Sequence, residues 1–401
     1  MSLPPDLQDQ ILGCLLGSAI GDAMGAPVEM WPRADIQATY GHIAHLLPLQ
    51  RPASPEGPWG DHLPAGSSTD DTRWKALLIE WMAAEDHAQI HTMPPEWSAS
   101  SLARFILHRY HQYLRALPAD GHETALEHAQ HQALWVKEWA RVAAAYLSGD
   151  LDEFAIAQAR FYGGEMVCGG MLFAPVIGAA YPGEAEKAYE QAFQLNIYDS
   201  GYARDLGGLT AALVAEASQP GCQPADLEAL PRKLDPRGYF HSRLVGRSAY
   251  ELFRLAQGIA NEALSAREAD VEALPVPLCL PFNTPDARQR YSQWSIAYHG
   301  LDQHLFRLPF HPGELWLVMW TALLVCRYDF RQTLAFIVNY GRDNDTTAAI
   351  AGAILGAFYG AKALPQDLTR PTLQANLSLG YDLPGLAQRL ALAVSEKENR
   401  V

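Results

Sequence analysis

Cysteine, positive charge and strand-like alternation are all scarce in this chain, and each shortage narrows what it can be. Five cysteines lie among 401 residues, at Cys14, Cys168, Cys222, Cys279 and Cys326, with no Cys-x-x-Cys pair. Such scatter argues against a zinc ribbon or a disulfide framework and suits reduced thiols in a cytoplasm. Lysine and arginine number 30 against 45 acidic residues, for a net charge of −15. That sign argues against a nucleic-acid duplex or an anionic membrane as partner. No positive n-region follows Met1, so no secretory signal is expected. Unbroken apolar runs are lacking too. Residues 11–28 are interrupted by Asp22, and residues 346–361 fall short of the ~20 that span a bilayer. No repeat of roughly 20–50 residues is evident.

What is present reads as helical and globular. Hydrophobic residues make up 49% and charged residues 19%, a balance typical of folded domains. Spacing of i, i+3, i+4 recurs in Leu77-Leu78-x-x-Trp81-Met82, Leu102-x-x-Phe105-Ile106 and Trp135-x-x-x-Trp139-x-x-Val142. Leu209-x-x-x-Leu213-Val214 and Leu252-x-x-Leu255 follow it as well. Gly13, Gly17, Gly21 and Gly25 recur every fourth residue, as do Gly352, Gly356 and Gly360. Glycine inside a helix is about 1 kcal/mol less favourable than alanine, so such rows need a reason. A row bare of side chains lets another backbone approach closely. The rows are expected to pack in the core, against each other or each against a bulky neighbour. Pro- and Gly-rich stretches at 48–66, 219–238 and 275–285 read as surface loops. The expectation is an all-α fold forming a single domain over residues 1–401.

Two acidic clusters, each opening a helical run, carry the chemistry. Thr69-Asp70-Asp71-Thr72 runs into Trp74 to Ile79, and Asp343-Asn344-Asp345-Thr346-Thr347 runs into Ala348 to Gly352. Their carboxylates and hydroxyls form an oxygen-only ligand set, which suits Mg²⁺ or Mn²⁺ rather than Zn²⁺. Four carboxylates carry about the charge that two divalent ions neutralise. An EF-hand is excluded, because Ala348 and Ile354 stand where its loop needs Gly and Glu. A glycosyltransferase-type Asp-x-Asp ends a strand, and strands are scarce here. Class I terpene synthase motifs fail at Trp74 and Ala348. Simple helix capping by Asp345 or Thr346 is the plain alternative for either cluster taken alone.

Three stretches together resemble one family. Gly13-Cys14-Leu15-Leu16-Gly17-Ser18-Ala19-Ile20-Gly21-Asp22-Ala23-Met24-Gly25-Ala26-Pro27-Val28-Glu29 is similar to the G-D-A-x-G-x-x-x-E signature of ADP-ribosylglycohydrolases. Ser68-Thr69-Asp70-Asp71-Thr72 resembles their first metal motif, and Gly341-Arg342-Asp343-Asn344-Asp345-Thr346 their second. The resemblance implies an all-α orthogonal multi-helix bundle with a dinuclear site for two Mg²⁺ ions. It implies Thr69, Asp70 and Asp71 on one ion, Asp343 and Thr346 on the other, and Asp345 bridging or shared. Glu29 matches a flap glutamate near the scissile bond, so Glu29, Asp70 and Asp71 are the candidate catalytic residues. The metals would present two ribose hydroxyls and the attacking water on one face of the anomeric carbon. A nearby carboxylate would take the proton on the way to an oxocarbenium-like transition state.

The middle of the chain departs from the family pattern. Val167-Cys168-Gly169-Gly170-Met171-Leu172-Phe173-Ala174-Pro175 lacks the Asn and Arg of N-G-x-x-M-R-x-x-P, and Asn196 to Tyr202 replaces a T-H-P segment. Gly169, Gly170, Met171, Asp199 and Tyr202 are the candidate substrate contacts. The plain alternatives are an ordinary turn at Gly169-Gly170 and a capped helix start at Asp199 and Tyr202. The pairs His108/His111 and His128/His131 read as solvated helix surface, and Tyr291, Trp294, Trp316 and Trp320 as core packing. The expected function is hydrolysis of a ribosyl bond, releasing ADP-ribose from a protein side chain or small acceptor. A non-catalytic ADP-ribose-binding or regulatory protein of the same fold, or a hydrolase of a nucleoside or another ribosylated metabolite, are the alternatives.

Overall fold

The computed structural model describes residues 5–52, 62–83, 97–117, 123–266 and 285–398. The chain runs through α1 (Pro5–Gly25), α2 (Arg33–Tyr40), α3 (Asp70–Met82), α4 (Ala99–Arg115), α5 (Glu123–Leu134) and α6 (Lys137–Ser148). It continues as α7 (Leu151–Ala159), α8 (Gly169–Ala179), α9 (Ala185–Leu195), α10 (Ala203–Ala217), α11 (Pro224–Lys233) and α12 (Ser248–Ser265). The last third holds α13 (Pro285–Asp302), α14 (Pro312–Val325), α15 (Phe330–Tyr340), α16 (Asn344–Tyr359), α17 (Gln366–Ser378) and α18 (Leu383–Glu398). The fold is an all-α bundle. Among the described residues its sheet is one antiparallel pair, Leu49–Gln50 with His62–Leu63.

The glycine rows determine how this bundle closes. α1 and α16 make the most extensive helix contact among the described residues, and their rows face each other. A methyl group on Gly17 would overlap the Gly352 carbonyl, and one on Gly352 would overlap that of Gly17. Gly13 meets the Gly356 carbonyl in the same way, and Gly21 that of Ala348. One turn further on, Gly25 abuts the backbone of Asp345. The close approach therefore delivers the start of α16, with its acidic cluster, to the end of α1. Residues 6–28 are long and apolar enough to cross a membrane, yet the most apolar window is 94% buried inside the protein.

One apolar cluster runs from Ile11 to Val394. It includes Trp294, Trp316 and Trp320, which confirms packing rather than stacking on a ligand as their role. A buried ion pair braces its flank: Arg247 Nη2 meets Asp205 Oδ1 at 2.6 Å, both side chains fully inaccessible, and Tyr189 donates to the same oxygen at 2.6 Å.

Two sequence expectations need correction. The stretch 219–238 is not all loop, because α11 lies inside it. Pro224 in the first turn presets the helical φ, and Gln223 and Asp226 form a reciprocal cap. The Trp135–Val142 run is not one helix either. α5 ends at Leu134 and Val136 precedes α6, with Trp135 between them packed edge-on against Trp74 at 4.8 Å. The proposed loop at 275–285 lies, but for its last residue, outside the described residues.

Candidate metal centre

Asp22, the charge that interrupts the apolar run of α1, holds the first acidic cluster in place. Its carboxylate accepts the backbone N–H groups of Thr69 at 2.9 Å and Thr72 at 3.0 Å. It also accepts the Thr69 hydroxyl at 2.9 Å and the Thr72 hydroxyl at 2.6 Å. Those N–H groups belong to the free first turn of α3, so a carboxylate from another helix does the capping. Thr69 itself makes no side-chain cap on α3, and Asp343 makes none on α16. Plain capping therefore does not explain either cluster.

The two clusters meet. Thr346 Oγ1 donates to Asp71 Oδ2 at 3.0 Å, and Thr69 Oγ1 lies 3.5 Å from Asp345 Oδ2. Glu29, Asp343 and Asp345 each offer one oxygen, all within 4.8 Å of one another. Backbone hydrogen bonds lock this geometry: Met30 N donates to Arg342 O at 2.8 Å, and Arg342 N donates to Trp31 O at 3.1 Å. Arg342 takes a positive φ of 66° to do so, and Glu314 fixes its guanidinium at 2.6 and 2.8 Å.

Burial makes this centre hungry for positive charge. Asp343 is pushed up to about 8 by burial first, then by the charges of Glu29 and Asp71. Asp22 rises to about 7 through burial and the charge of Asp71, against the opposing hydrogen bonds from the two threonines. Burial also raises Asp71, and it raises Asp345 well above the carboxylate range. Asp345 Oδ1 is buried and accepts no hydrogen bond, and Asp71 Oδ1 faces the Lys75 ammonium at 3.6 Å. Unpartnered buried carboxylate oxygens are what a hard divalent cation would satisfy, so the donor set fits Mg²⁺ or Mn²⁺. Cations of the chain already act on these acids, Arg73 on Asp70 and Arg342 on Asp343 among them. Arg51 pairs with Glu29 at 2.6 Å on the rim, and Lys75 lies 3.6 Å from Asp71 Oδ1 inside. Asp22, Arg51 and Lys75 escaped the sequence reading; the one signal was an acid lodged in an apolar, glycine-striped helix.

The middle segment forms the wall beside these acids. Cys168, at the start of α8, is pushed well up by burial and then by the charges of Asp343, Asp71, Asp199 and Asp70. Gly169 and Gly170 begin α8 rather than forming a turn, and Met171 is wholly buried. Asp199 is also buried: its Oδ2 accepts Gly170 N–H at 2.8 Å and the Asn196 amide at 2.9 Å, and burial lifts its carboxyl to about 6. Tyr202 precedes α10 and packs against His311, ring centres 6.0 Å apart. His108 and His111 are exposed on α4. Among the described residues the candidate metal group contains no histidine.

An all-α bundle that gathers two acidic motifs and a glutamate into one buried, oxygen-lined centre is the architecture of a family of glycoside hydrolases. The chain belongs to that family: the ADP-ribosylglycohydrolase model matches residues 3–400. ADP-ribosylhydrolase ARH3 of Homo sapiens is 23% identical over 365 residues, covering 88% of this chain and 86% of that protein. An uncharacterized protein of Archaeoglobus fulgidus is 35% identical over 101 residues, 25% of this chain and 28% of the relative. The uncharacterized protein YegU of Escherichia coli (strain K12) is 52% identical over 40 residues, 10% of this chain and 12% of the relative. These last two matches thus span under a third of either relative. A solved structure described as an ADP-ribosylglycohydrolase-related protein complex shares the fold, with a TM-score of 0.56 and 20% identity, covering 98% of this chain and 100% of that one.

Proposed function

We propose that this chain is a Mg²⁺-dependent hydrolase of a glycosidic bond to ribose, releasing ADP-ribose from a protein side chain or small acceptor. The observation that carries the reading is the convergence of Glu29, Asp343 and Asp345 within 4.8 Å, beside the Asp71–Thr346 contact. Thr69, Asp70 and Asp71 would hold one ion, and Asp343, Asp345 and Thr346 the other. Bound there, two divalent ions supply Lewis-acid stabilisation and offset the repulsion an anionic ligand meets from a chain of net charge −15.

The remaining work falls to the chain's own side chains. Glu29 is 21% exposed at the rim, within reach of a water entering from solvent, and takes its proton. Asp70 and Asp71 stabilise the positive charge that develops on the ribose ring. The start of α8 at Gly169 and Gly170, fixed by Asp199, forms the wall on the leaving-group side, with Met171 anchoring it in the core and Tyr202 bordering it. Free thiols at Cys14, Cys168, Cys222 and Cys326 suit a cytoplasmic setting.

One observation favours a second reading, cleavage of a nucleoside or another ribosylated metabolite. The Gly170 N–H that would cradle a phosphate is committed to Asp199 at 2.8 Å. A Mg²⁺-dependent hydrolysis screen separates the two, run over arginine-, serine- and acetyl-linked ADP-ribose, free nucleosides and NAD. Release of ADP-ribose that stops with EDTA and in Glu29→Ala supports the first reading. Cleavage of plain nucleosides alone replaces it with the second, and no cleavage of any substrate removes both.

A further inference from the structure

Lys75 places a fixed positive charge inside the centre, one helical turn after Asp71. Both side chains are almost wholly buried, at 3% and 1% exposure. The ammonium donates to the Asp71 carbonyl oxygen at 2.9 Å and lies 3.6 Å from Asp71 Oδ1. The other carboxylate oxygen accepts the Thr346 hydroxyl at 3.0 Å. Asp71 is therefore attended on both sides before any ion arrives. A buried ammonium persists only where partners compensate its loss of water. Its charge also reaches Asp22 and Cys14 on α1.

The opposite side of the centre is built differently. Glu29, Asp343 and Asp345 converge within 4.8 Å, and Asp345 Oδ1 is buried without a hydrogen bond. Two arginines reach this side: Arg342 acts on Asp343 while held by Glu314, and Arg51, a quarter exposed, meets it from the rim through Glu29. Arg51 sits on the short strand pair's border and has solvent to move into, whereas Lys75 is enclosed.

Building on the metal-centre reading above, we infer that Lys75 makes the two sides of the centre unequal towards divalent cations. An ion on the Glu29–Asp343–Asp345 side binds tightly. An ion on the Asp70–Asp71 side binds weakly, because it must share Asp71 with the enclosed Lys75 side chain. Like charges a few ångströms apart repel far more strongly in a poorly screened interior than in water. Cation affinity also follows the net charge of the ligand set, and Lys75 subtracts one unit from one side only. Lys75 is thus a positioning residue that grades occupancy of the second position. It touches no substrate.

The test reads cation binding without turnover. The full-length protein, stripped with EDTA, is titrated with Mn²⁺ by calorimetry, and free Mn²⁺ is followed by electron paramagnetic resonance. The expected wild-type isotherm has two steps whose dissociation constants differ by about tenfold or more. Asp345→Asn should remove the tight step and Asp71→Asn the weak one. Lys75→Met, which keeps the stem and removes the charge, should tighten the weak step by about tenfold or more. A single step that Asp345→Asn abolishes, joined by a second step in Lys75→Met, also supports the inference. Two equal steps in the wild type, or an isotherm unchanged in Lys75→Met, overturn it and leave the metal centre standing. Should Lys75→Met not fold, the wild-type isotherm and the two Asn variants decide alone. Absence of Mn²⁺ binding by the wild type overturns the metal-centre reading itself.

Discussion

Gly352 and Gly258 both lie inside helices, and the same substitution at the two should act with opposite sign. Alanine is favoured over glycine in a helix interior by about 1 kcal/mol. Nothing lies within 4 Å of where a Cβ on Gly258 would stand. Gly258→Ala should therefore stabilise the protein by about 0.5–1 kcal/mol. At Gly352 the new Cβ would overlap the Gly17 carbonyl oxygen. Backbone atoms cannot swing aside as a side chain can, so α1 and α16 must separate. Overpacking of this kind costs about 1–3 kcal/mol, and the gain in propensity offsets only part of it. For 401 residues the entropy of unfolding is roughly 0.8 kcal/mol per kelvin, so Tm should fall by about 1–3 °C. Separation would also carry Asp345 away from Glu29, since Gly25 rests on the Asp345 backbone. The rise in Tm that Mg²⁺ produces should therefore shrink in Gly352→Ala and persist in Gly258→Ala. Thermal unfolding with and without Mg²⁺ measures both. An increase in Tm for Gly352→Ala, with a full response to Mg²⁺, would refute the opposed glycine rows as the device that builds the site.

Asp345→Ala should abolish tight Mg²⁺ binding and hydrolysis, measured by calorimetry and product release, because Asp345 belongs to the convergent triad and also faces Thr69. Asp22→Ala should destabilise by about 2–4 kcal/mol in urea unfolding, since four buried donors on Thr69 and Thr72 lose one acceptor together. Asp205→Ala should cost about 3–5 kcal/mol in the same assay, leaving the inaccessible Arg247 guanidinium without its carboxylate. The metal-free protein should lose stability as pH rises from about 4 to about 8, because Asp343 holds its proton up to about 8 when folded but ionises from 3.8 when unfolded. The folded state binds the extra proton over that window, so the slope is negative. Added Mg²⁺ should restore more stability at pH 8 than at pH 6, and a response independent of pH would contradict the shift.

Much of the fold was legible because its signals are local. The i, i+3, i+4 spacings mark α3, α4, α10 and α12, and both glycine rows belong to helices that do touch. The acidic clusters were legible for a related reason: Thr69 to Asp71 and Asp343 to Thr346 are contiguous, so each motif shows its donor chemistry in one stretch. What the sequence hid depends on partners distant along the chain. Asp22 caps α3 from 47 residues away, and Arg51 meets Glu29 from beyond α2; Lys75 pairs with Asp71 within α3, and only its burial in the centre depends on packing. Asp199 shows the same limit. Its neighbours suggested a half-buried helix start, but tertiary packing buries it and turns it towards Gly170. The Pro224 helix hid for another reason, since proline in a first helical turn looks in sequence like the composition of a loop.

The distribution of acids in the centre separates two tasks that a sequence motif merges. Asp22 is fully inaccessible, and two N–H groups and two hydroxyls saturate its oxygens. A carboxylate so occupied has little left for a cation, so Asp22 serves as a strut between α1 and α3. Asp345 is nearly as buried, yet one of its oxygens has no hydrogen bond. Burial disfavours the charged form of both; hydrogen-bond donors oppose that at Asp22, whereas the bare oxygen of Asp345 is left to a proton or a metal ion. Without a metal ion, burial and the charge of Glu29 shift the carboxyls of Asp343 and Asp345 upward, towards the protonated form. An incoming divalent ion must displace those protons, which couples cation binding to pH and makes part of the binding energy available as folding stability. Burial and the charge of Asp71 raise the strut's carboxyl too, to about 7, and its four donors oppose that rise.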